Sequence, residues 1–297
     1  MSNSSVICVG VITMDTIALV DKYPAEDERV RAGQIMRAIG GPAAVSAIAL
    51  ARLGISVGVV GTIGEDTDGK EILAHFKREG VNTEGISVTS EPTAGSVIVA
   101  SKEHSARAIS TRQPPVQAVP SAIAKALVAT AQWVHVDHVG INLLPALNIK
   151  RGGNPKISFD AGYEVTGFDV SQVDLFAPND KSLLSRNPNL EIAAALKNEF
   201  ELSQALIVAT EGGNGSAAYS AETGFIFAPS FKVDLVSTLG AGDVFHGALL
   251  AQLIEKRPLA IALLRANAVA ALSCRGLDGS SAIPTSTELN SFMSGVK

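Results

Sequence analysis

The chain of 297 residues carries 24 lysines and arginines against 29 acidic residues, a net charge of −5. With no basic stripe to release phosphate counterions, we expect no nucleic-acid partner. Its two cysteines, Cys8 and Cys274, lie far apart and outside any CxxC spacing, which indicates neither a disulfide framework nor a zinc site. No uncharged apolar run reaches about 18 residues, so we expect no membrane partner and a cytoplasmic protein.

Short apolar runs alternate with longer Ala- and Leu-rich stretches along the chain. Strands are predicted over 6–11, 57–62, 133–136, 157–160, 175–177 and 206–209. Helices are predicted over 43–53, 69–79, 121–129, 190–200, 243–255 and 259–272. Such alternation is typical of βαβ units, and it predicts an α/β fold with a mainly parallel sheet covered on both faces. Turn signals within 205–230 predict an antiparallel edge there.

Two segments, 16–37 and 92–111, do not follow this rhythm, because charged residues alternate there with Val, Ile and Ala. Each segment could supply strands to a small sheet that stands off the core, or it could form a solvated hairpin. Arg29 and Arg107 lie within these segments, and Arg112 directly follows the second one. They are either solvated or available to an anionic group on a substrate.

The most informative segment is 233–250, where an apolar, strand-like run meets Gly240-Ala241-Gly242 and an apolar-periodic helix begins at Asp243. The turn should leave unpaired N–H groups at the positive end of a helix dipole, which suits a phosphate or a developing anion. Asp243 could then take a proton from an attacking hydroxyl, or it could simply cap the helix. The residues alone leave both readings open.

Other polar positions follow predicted strands or precede predicted helices. Asp15 is expected at the carboxyl end of the first strand, where open α/β sheets bind ligands, and Gly40-Gly41 precedes a helix. The glycines of the loop 210–215 could cradle phosphates or form an ordinary hairpin. His135 and His138 flank Asp137, and His138 is our candidate for a substrate-pocket residue.

These motifs resemble those of the ribokinase-like (PfkB) sugar and nucleoside kinases, in that family's order. Residues 237–243, Ser-Thr-Leu-Gly-Ala-Gly-Asp, resemble its signature Asp-Thr-x-Gly-Ala-Gly-Asp, and 210–215 fits its Thr-x-Gly-x-x-Gly loop. The resemblance implies one domain over 1–297 with a three-layer α/β/α core. It also implies a small β lid formed by inserts at 16–37 and 92–111, which often makes a homodimer contact.

The resemblance also implies roles for individual residues. Asp243 would be the general base, with Gly240, Ala241 and Gly242 as the anion hole. The sugar would contact Asp15, Gly40 and Gly41, with Arg29 and His138 as further candidates. Nucleotide contacts would come from Thr210, Gly212, Gly215, Asn179 and Asn267. The implied cofactors are ATP and Mg²⁺, with a loop at 275–281 like one that holds a monovalent cation such as K⁺ in many relatives.

Three positions depart from the family pattern. Ser237 and Ser182 stand where carboxylates usually organise the metal, and Val45 stands where the sugar-site signature often has Asn. No metal ligand is therefore assigned. The predicted function is ATP-dependent phosphoryl transfer to a hydroxyl, most simply a primary one, of a sugar or sugar derivative, with a local similarity to the sulfofructose kinase branch. A nucleoside kinase and a catalytically weakened, ligand-binding regulator are the alternatives.

Overall fold

The computed structural model describes residues 4–103, 106–163 and 165–295. Its strands are β1 (Val6–Val9), β2 (Thr13–Val20), β3 (Ala32–Gly40), β4 (Val57–Gly64), β5 (Asn82–Thr89), β6 (Gly95–Ser101), β7 (Ala106–Arg112), β8 (Trp133–Val136), β9 (Lys156–Ala161), β10 (Leu175–Pro178), β11 (Leu206–Thr210), β12 (Gly215–Ser220) and β13 (Gly224–Pro229). Its α-helices are α1 (Pro42–Arg52), α2 (Thr67–Glu79), α3 (Ala122–Thr130), α4 (Leu144–Leu147), α5 (Asp180–Arg186), α6 (Ile192–Ser203), α7 (Ala241–Ile254), α8 (Leu259–Ser273) and α9 (Ser286–Gly295).

The core is a nine-stranded sheet in the order β13-β12-β11-β10-β9-β8-β1-β4-β5. From β5 to β11 neighbouring strands are parallel, whereas β12 and β13 are antiparallel and form one edge. The strands of the middle are apolar on both faces because helices cover both. One apolar cluster joins the sheet to α1, α2, α7 and α8, and a second joins it to α3, α5 and α6. The predicted mainly parallel three-layer α/β/α fold is confirmed.

A second sheet of four strands, in the order β3-β2-β6-β7, stands off this core. Along β2 and β6 the side chains alternate, so that Ile17 and Ile98 are buried while Val97 is largely exposed. The inner side packs against Leu277 and Leu239, close to the start of α7. These strands lie in or beside 16–37 and 92–111, and the action of this sheet as a lid over a substrate remains a prediction.

The structure corrects two details of the predicted strands. The first strand ends at Val9, and Asp15 lies within β2 of the small sheet rather than at the end of β1. The apolar run 233–239 is not a strand but a loop, whose Val236 and Ser237 N–H groups bond to the Cys274 carbonyl. Apolar residues alone do not make a strand when no neighbouring strand offers a ladder of hydrogen bonds.

Candidate active site

The start of α7 is built around Gly240, the residue that caps the helix. Its φ of 71° is left-handed, and a side chain there would come within 2.7 Å of the Gly279 Cα. Glycine is therefore the one residue that closes this turn without strain. Asp243 lies in the first turn of the helix, two residues after its first residue, Ala241. The reading of Asp243 as the N-cap is thus wrong.

The turn offers fewer free amides than the sequence predicts. The Ala241 N–H bonds to the Thr238 carbonyl at 3.3 Å, so it is already used within the turn. Within the described part of the chain, the N–H groups of Gly240, Gly242 and Asp243 have no backbone acceptor. The anion-binding group is thus these three amides at a helix N-terminus, and the role predicted for the Ala241 amide is not supported.

Asp243, Asp15, Gly40 and Gly41 line one cavity of about 40 Å³, so the structure brings these four predicted site residues together. Its remaining walls are formed by Ile17, Ile39, Val45, Leu239, Gly240 and Gly279. The cavity is smaller than a sugar. A wider cleft of about 360 Å³ follows the same loop, between β7 and residues 235–238, and Arg107 and Thr238 line it.

Asp15 is a buried carboxylate held in place from β6. Its Oδ1 accepts the Ser96 N–H at 3.0 Å, and the missing side chain of Gly40 leaves the space that its Oδ2 occupies. Burial raises the pKa of Asp15, while the hydrogen bond from the Ser96 N–H acts in the opposite direction. Gly41, with a φ of 92°, turns the chain from β3 into α1 against the Val11 backbone. Both glycines are needed for this close approach.

Beneath Asp243 lies a group of buried polar side chains. The Asp160 carboxyl, at the end of β9, is within hydrogen-bonding reach of the Asp243 carboxyl. Burial raises the pKa of Asp243 well above its ordinary value, and the negative charges of Asp160 and Asp137 add to the effect. Burial alone would also raise the pKa of Asp160, but His246 beside it outweighs burial and lowers that pKa to about 2.

His246 follows Asp243 by one helical turn and faces Asp160. Its Nδ1 lies 2.9 Å from Asp160 Oδ2, although no ring N–H has good hydrogen-bond geometry, so we regard the pair as a close charge contact. His135 offers a third potential ligand atom within 4.8 Å of the other two. Its ring nitrogens, however, face the hydroxyls of Ser158 and Ser46 at 3.1 and 3.4 Å. Both ring nitrogens of His135 thus already have hydroxyl partners, and we assign no metal to the group.

Asp137 and His138, which closely follow His135 in the sequence, do not line this cavity. Asp137 is buried, and its carboxylate accepts the N–H groups of Val11, Val139 and Gly140, which clamps the loops after β1 and β8. His138 stacks on Tyr163, with ring centroids 4.8 Å apart, and is absent from the cavity wall. His138 is thus not among the residues that line the cavity, and its role as a substrate residue stays a prediction.

The predicted nucleotide loop is a tight turn between β11 and β12. Gly212–Asn214 forms a 3₁₀ turn, closed by the Glu211 N–H on the Gly215 carbonyl at 2.8 Å. Thr210 ends β11 beside Asn179. Burial raises the pKa of Glu211, and the nearby Asp180 raises it further, so two carboxylates face each other at this sheet edge. Neither Asp180 nor Glu211 is among the site residues predicted above, and only the folded structure brings the two together.

Two predicted nucleotide residues have structural partners instead. Asn179 caps α5, with its Oδ1 accepting the Ser182 N–H at 2.8 Å and its Nδ2 donating to the Gly162 carbonyl at 3.1 Å. Asn267 is buried, and its Nδ2 donates to the carbonyls of Ala228 and Pro229. The prediction that Asn267 lines an adenine pocket is therefore not supported, because its amide fastens α8 to the end of β13.

Of the lid arginines, Arg107 reaches the α7 turn. Its Nη1 donates to Thr238 Oγ1 at 3.1 Å, and its charge partly offsets the raised pKa of Asp243. Arg29 lies exposed in the loop between β2 and β3 and is not part of the cavity wall. Arg112 donates to the Thr93 carbonyl, away from Asp243. Of these three arginines, Arg107 is thus the one whose charge acts on the proposed base, whereas the sequence led us to select Arg29.

The loop 275–281, compared above with a monovalent-cation loop, is fixed by protein groups. The Asp278 carboxylate accepts the Ser281 N–H and the Ser280 hydroxyl. The Arg52 guanidinium donates to the carbonyls of Ser280, Ser281 and Ile283 at 2.8–3.1 Å. Gly279 of the same loop supports Gly240, so this loop buttresses the α7 turn.

Comparison with known proteins decides the family. The profile of the pfkB family of carbohydrate kinases matches residues 3–150 and 169–286. The chain belongs to this family. It is 30% identical to the ribokinase of Bacillus subtilis over 298 residues, an alignment that covers 97% of this chain and 99% of the relative. The class of carbohydrate kinase predicted from the sequence is confirmed.

Solved structures agree on the fold. The ribokinase of Thermotoga maritima superposes with a TM-score of 0.82 at 21% identity, covering 98% of this chain and all of that one. The ribokinase of Arabidopsis thaliana in complex with ribose and ATP superposes with a TM-score of 0.79 at 21% identity, covering 98% of both chains. Among the described residues, no helix combines the length and apolarity needed to cross a bilayer.

Proposed function

We propose that this kinase transfers the γ-phosphoryl group of ATP to a hydroxyl of a sugar or sugar derivative, with Asp243 as the general base. One observation carries the proposal: the Asp243 carboxyl and the buried Asp15 carboxylate line the same cavity at the amino end of α7. Asp15 can accept hydrogen bonds from sugar hydroxyls, while Asp243 is placed to accept the proton of the attacking hydroxyl.

The chemistry assigns a task to each group. The O–H bond of the acceptor breaks as its oxygen forms a bond to the γ-phosphorus, and its proton passes to Asp243. The bond between the γ-phosphorus and the bridging oxygen breaks, and ADP leaves with the electron pair. The amides of Gly240, Gly242 and Asp243 stabilise the negative charge on the transferring group. The pKa of Asp243, raised by burial and by Asp160, makes this carboxylate a better proton acceptor than an exposed one.

The residues beside the predicted nucleotide turn suit a magnesium ion. Asp180 and Glu211 place two carboxylates beside the nucleotide turn, and oxygen atoms are the donors that Mg²⁺ prefers. When bound, Mg²⁺ neutralises charge on the ATP phosphates. These two residues would compensate for Ser182 and Ser237, which stand where relatives in the family usually carry carboxylates.

The test is an ADP-release assay with MgATP and a panel of acceptors: ribose, fructose, fructose 6-phosphate, 6-sulfofructose and adenosine. We expect turnover with a sugar. Asp243→Asn should lower kcat by about 10²–10⁴-fold while ATP binding is kept. The matched control is Asp234→Asn, an exposed carboxylate in the preceding loop, which should keep its turnover. An Asp243→Asn variant with near-normal kcat would remove Asp243 from the mechanism.

The same assay separates the two alternatives. A nucleoside kinase would phosphorylate adenosine in preference to every sugar of the panel. A ligand-binding regulator would bind a sugar or nucleotide without ADP release at any magnesium concentration. If the site is an enzyme weakened at Ser237, then Ser237→Asp should raise the turnover.

A further inference from the structure

Three buried side chains from three different elements meet below the proposed base. Asp160 comes from β9, His246 from α7 and His135 from β8, and each is less than 7% exposed. His246 lies on the helix that carries Asp243, while Asp160 reaches both residues from the neighbouring sheet. A substitution of Asp160 or His246 would therefore change the surroundings of Asp243 without altering the surface of the protein.

The two carboxyl groups constrain each other. Two carboxylates within hydrogen-bonding reach repel each other in a buried site, so the pair takes up a first proton more readily than an isolated carboxylate does. Asp160 is the member that is better stabilised as an anion. Its Oδ1 accepts the Gly162 N–H at 2.9 Å, and its Oδ2 lies 2.9 Å from His246 Nδ1. A proton held by the pair therefore resides on Asp243.

We propose that Asp160 and His246 form a positioning pair for the catalytic base: Asp160 accepts a hydrogen bond from Asp243 once Asp243 has taken the substrate proton, and His246 keeps Asp160 a carboxylate. This inference rests on the proposed function. In the extended mechanism, the proton leaves the acceptor hydroxyl, binds Asp243 and is stabilised there by the Asp160 carboxylate. When product leaves, the proton returns to solvent.

The backbone of Asp243 is held by the same network. The Ser46 hydroxyl, on α1, donates to the Asp243 carbonyl at 2.8 Å and lies 3.4 Å from His135 Nε2. Burial, with His246 nearby, lowers the pKa of His135 to about 3, so His135 is neutral in any ordinary assay. His135 thus supports the helix through Ser46, whereas Asp160 and His246 act on the charge of the base.

The pH dependence of kcat/KM reports on this arrangement. The ionisable groups that face Asp243 come from several elements, and all must be considered: Asp160 from β9, His246 from α7, His135 and Asp137 from β8 and its end, Asp15 from β2, and Arg107 from β7. Protonation of Asp243 should give the acidic limb of the profile. Removing a negative neighbour makes protonation of Asp243 harder, and removing the group that keeps that neighbour negative acts in the same direction.

The experiment compares the pH profiles of Asp160→Asn and His246→Gln with that of the wild-type enzyme. Both variants should move the acidic limb to lower pH, because Asp160→Asn removes the negative charge beside Asp243 and His246→Gln lets a proton neutralise that charge. Both should lower kcat by about 10–100-fold with little change in KM, as expected for groups that act through another residue. His135→Gln is the matched control, since it removes an equally buried histidine and should leave the limb in place.

Shifts to lower pH in both variants would support the pair, since a loss of stability alone does not move the limb. The proposal would be overturned if the acidic limb stayed in place in both variants and kcat fell only in step with the melting temperature. If Asp160→Asn fails to fold, ¹⁵N-histidine spectra of the wild-type enzyme supply a second readout. A His246 signal, assigned by its loss in His246→Gln, should shift at the pH of the acidic limb, and a His246 signal that does not respond there would equally overturn the proposal.

The results distinguish a failure of the proposed mechanism from a failure of the positioning pair alone. If Asp243→Asn keeps its turnover, the proposed mechanism and this inference fall together. If Asp243→Asn loses turnover while the limb of neither Asp160→Asn nor His246→Gln moves, only the positioning pair is refuted.

Discussion

At the α7 turn, two glycines two positions apart have different reasons to be glycine. Gly240 has a left-handed backbone and packs against Gly279, whereas Gly242 lies in the helix with open space where a side chain would be. Gly240→Ala should therefore lower the free energy of unfolding by about 1–3 kcal/mol, because both the backbone and the packing are strained. It should also lower turnover, since the anion-binding amides move with the turn.

Gly242→Ala is the contrasting variant. It should leave the free energy of unfolding unchanged, or raise it by up to about 1 kcal/mol through helix propensity. Any loss of kcat in Gly242→Ala would then report the approach of the phosphoryl group to that amide. Urea unfolding and the ADP-release assay measure both effects. Equal stability of the two variants would contradict the role assigned to Gly240.

The sequence indicates a site residue where few residue types suit the position. It does not indicate a residue whose role depends on the partners that the fold brings to it. Gly40, Gly41 and Asp243 stand out because few other residues suit their positions. Asn267 appeared free in the sequence, but its partners are carbonyls at the end of β13, almost 40 positions away. His246 gave no signal at all, because only the folded sheet brings β9 opposite the second turn of α7.

At the scale of elements, the alternation of apolar runs predicted most strands and helices to within a few residues. It missed β5, α4, α5 and α9, and the strand-like run 233–239 is a loop in the structure. Leu235 and Val236 of that loop are about half exposed, in the cleft between β7 and the α7 turn. Their apolar character resembles that of a buried strand, so the sequence alone could not separate the two cases.

Arg52 connects three elements that together support the α7 turn. It ends α1, forms a two-pronged contact with Glu79 of α2 at 2.7 and 2.9 Å, and donates to three carbonyls of the loop 280–283. Arg52→Met should lower the free energy of unfolding by about 2–4 kcal/mol, since it leaves a half-buried carboxylate and these carbonyls without their donor. Lys77→Met, an exposed residue of α2, is the control and should change stability by less than about 0.5 kcal/mol.

Acid adds a second test of the same contact. Hydrogen bonds from Arg52 lower the pKa of Glu79 below its ordinary value of 4.5, with burial opposing them. A lowered folded-state pKa gives stability that is present above pH 4.5 and is lost as the pH falls through the folded-state pKa. The wild type should therefore lose more stability than Arg52→Met between pH 7 and pH 3. Parallel losses in urea unfolding would show that Arg52 does not stabilise the Glu79 carboxylate.

At the scale of the whole molecule, the outer face of the small sheet exposes a group of apolar side chains. Ile35 and Val97 are 70% and 59% exposed, and they flank Ala18 and Val99 on the side opposite the buried Ile17. Single exposed apolar residues are ordinary, but a row of them across adjacent strands is typical of an interface. We therefore expect this face to pair with a second copy of the chain, as the sequence resemblance predicted.

Val97→Lys tests this pairing, because two-fold symmetry brings the introduced charges of both copies to one interface. Charges buried together cost several kcal/mol, so the dimer dissociation constant should rise by about 10²-fold or more. Sedimentation at several concentrations should show a wild-type dimer and a Val97→Lys monomer. Leu202→Lys on α6, at a residue 74% exposed, should remain dimeric. A wild-type monomer at every concentration would contradict the prediction, and so would a dimer unaffected by Val97→Lys, since the contact would then involve another surface.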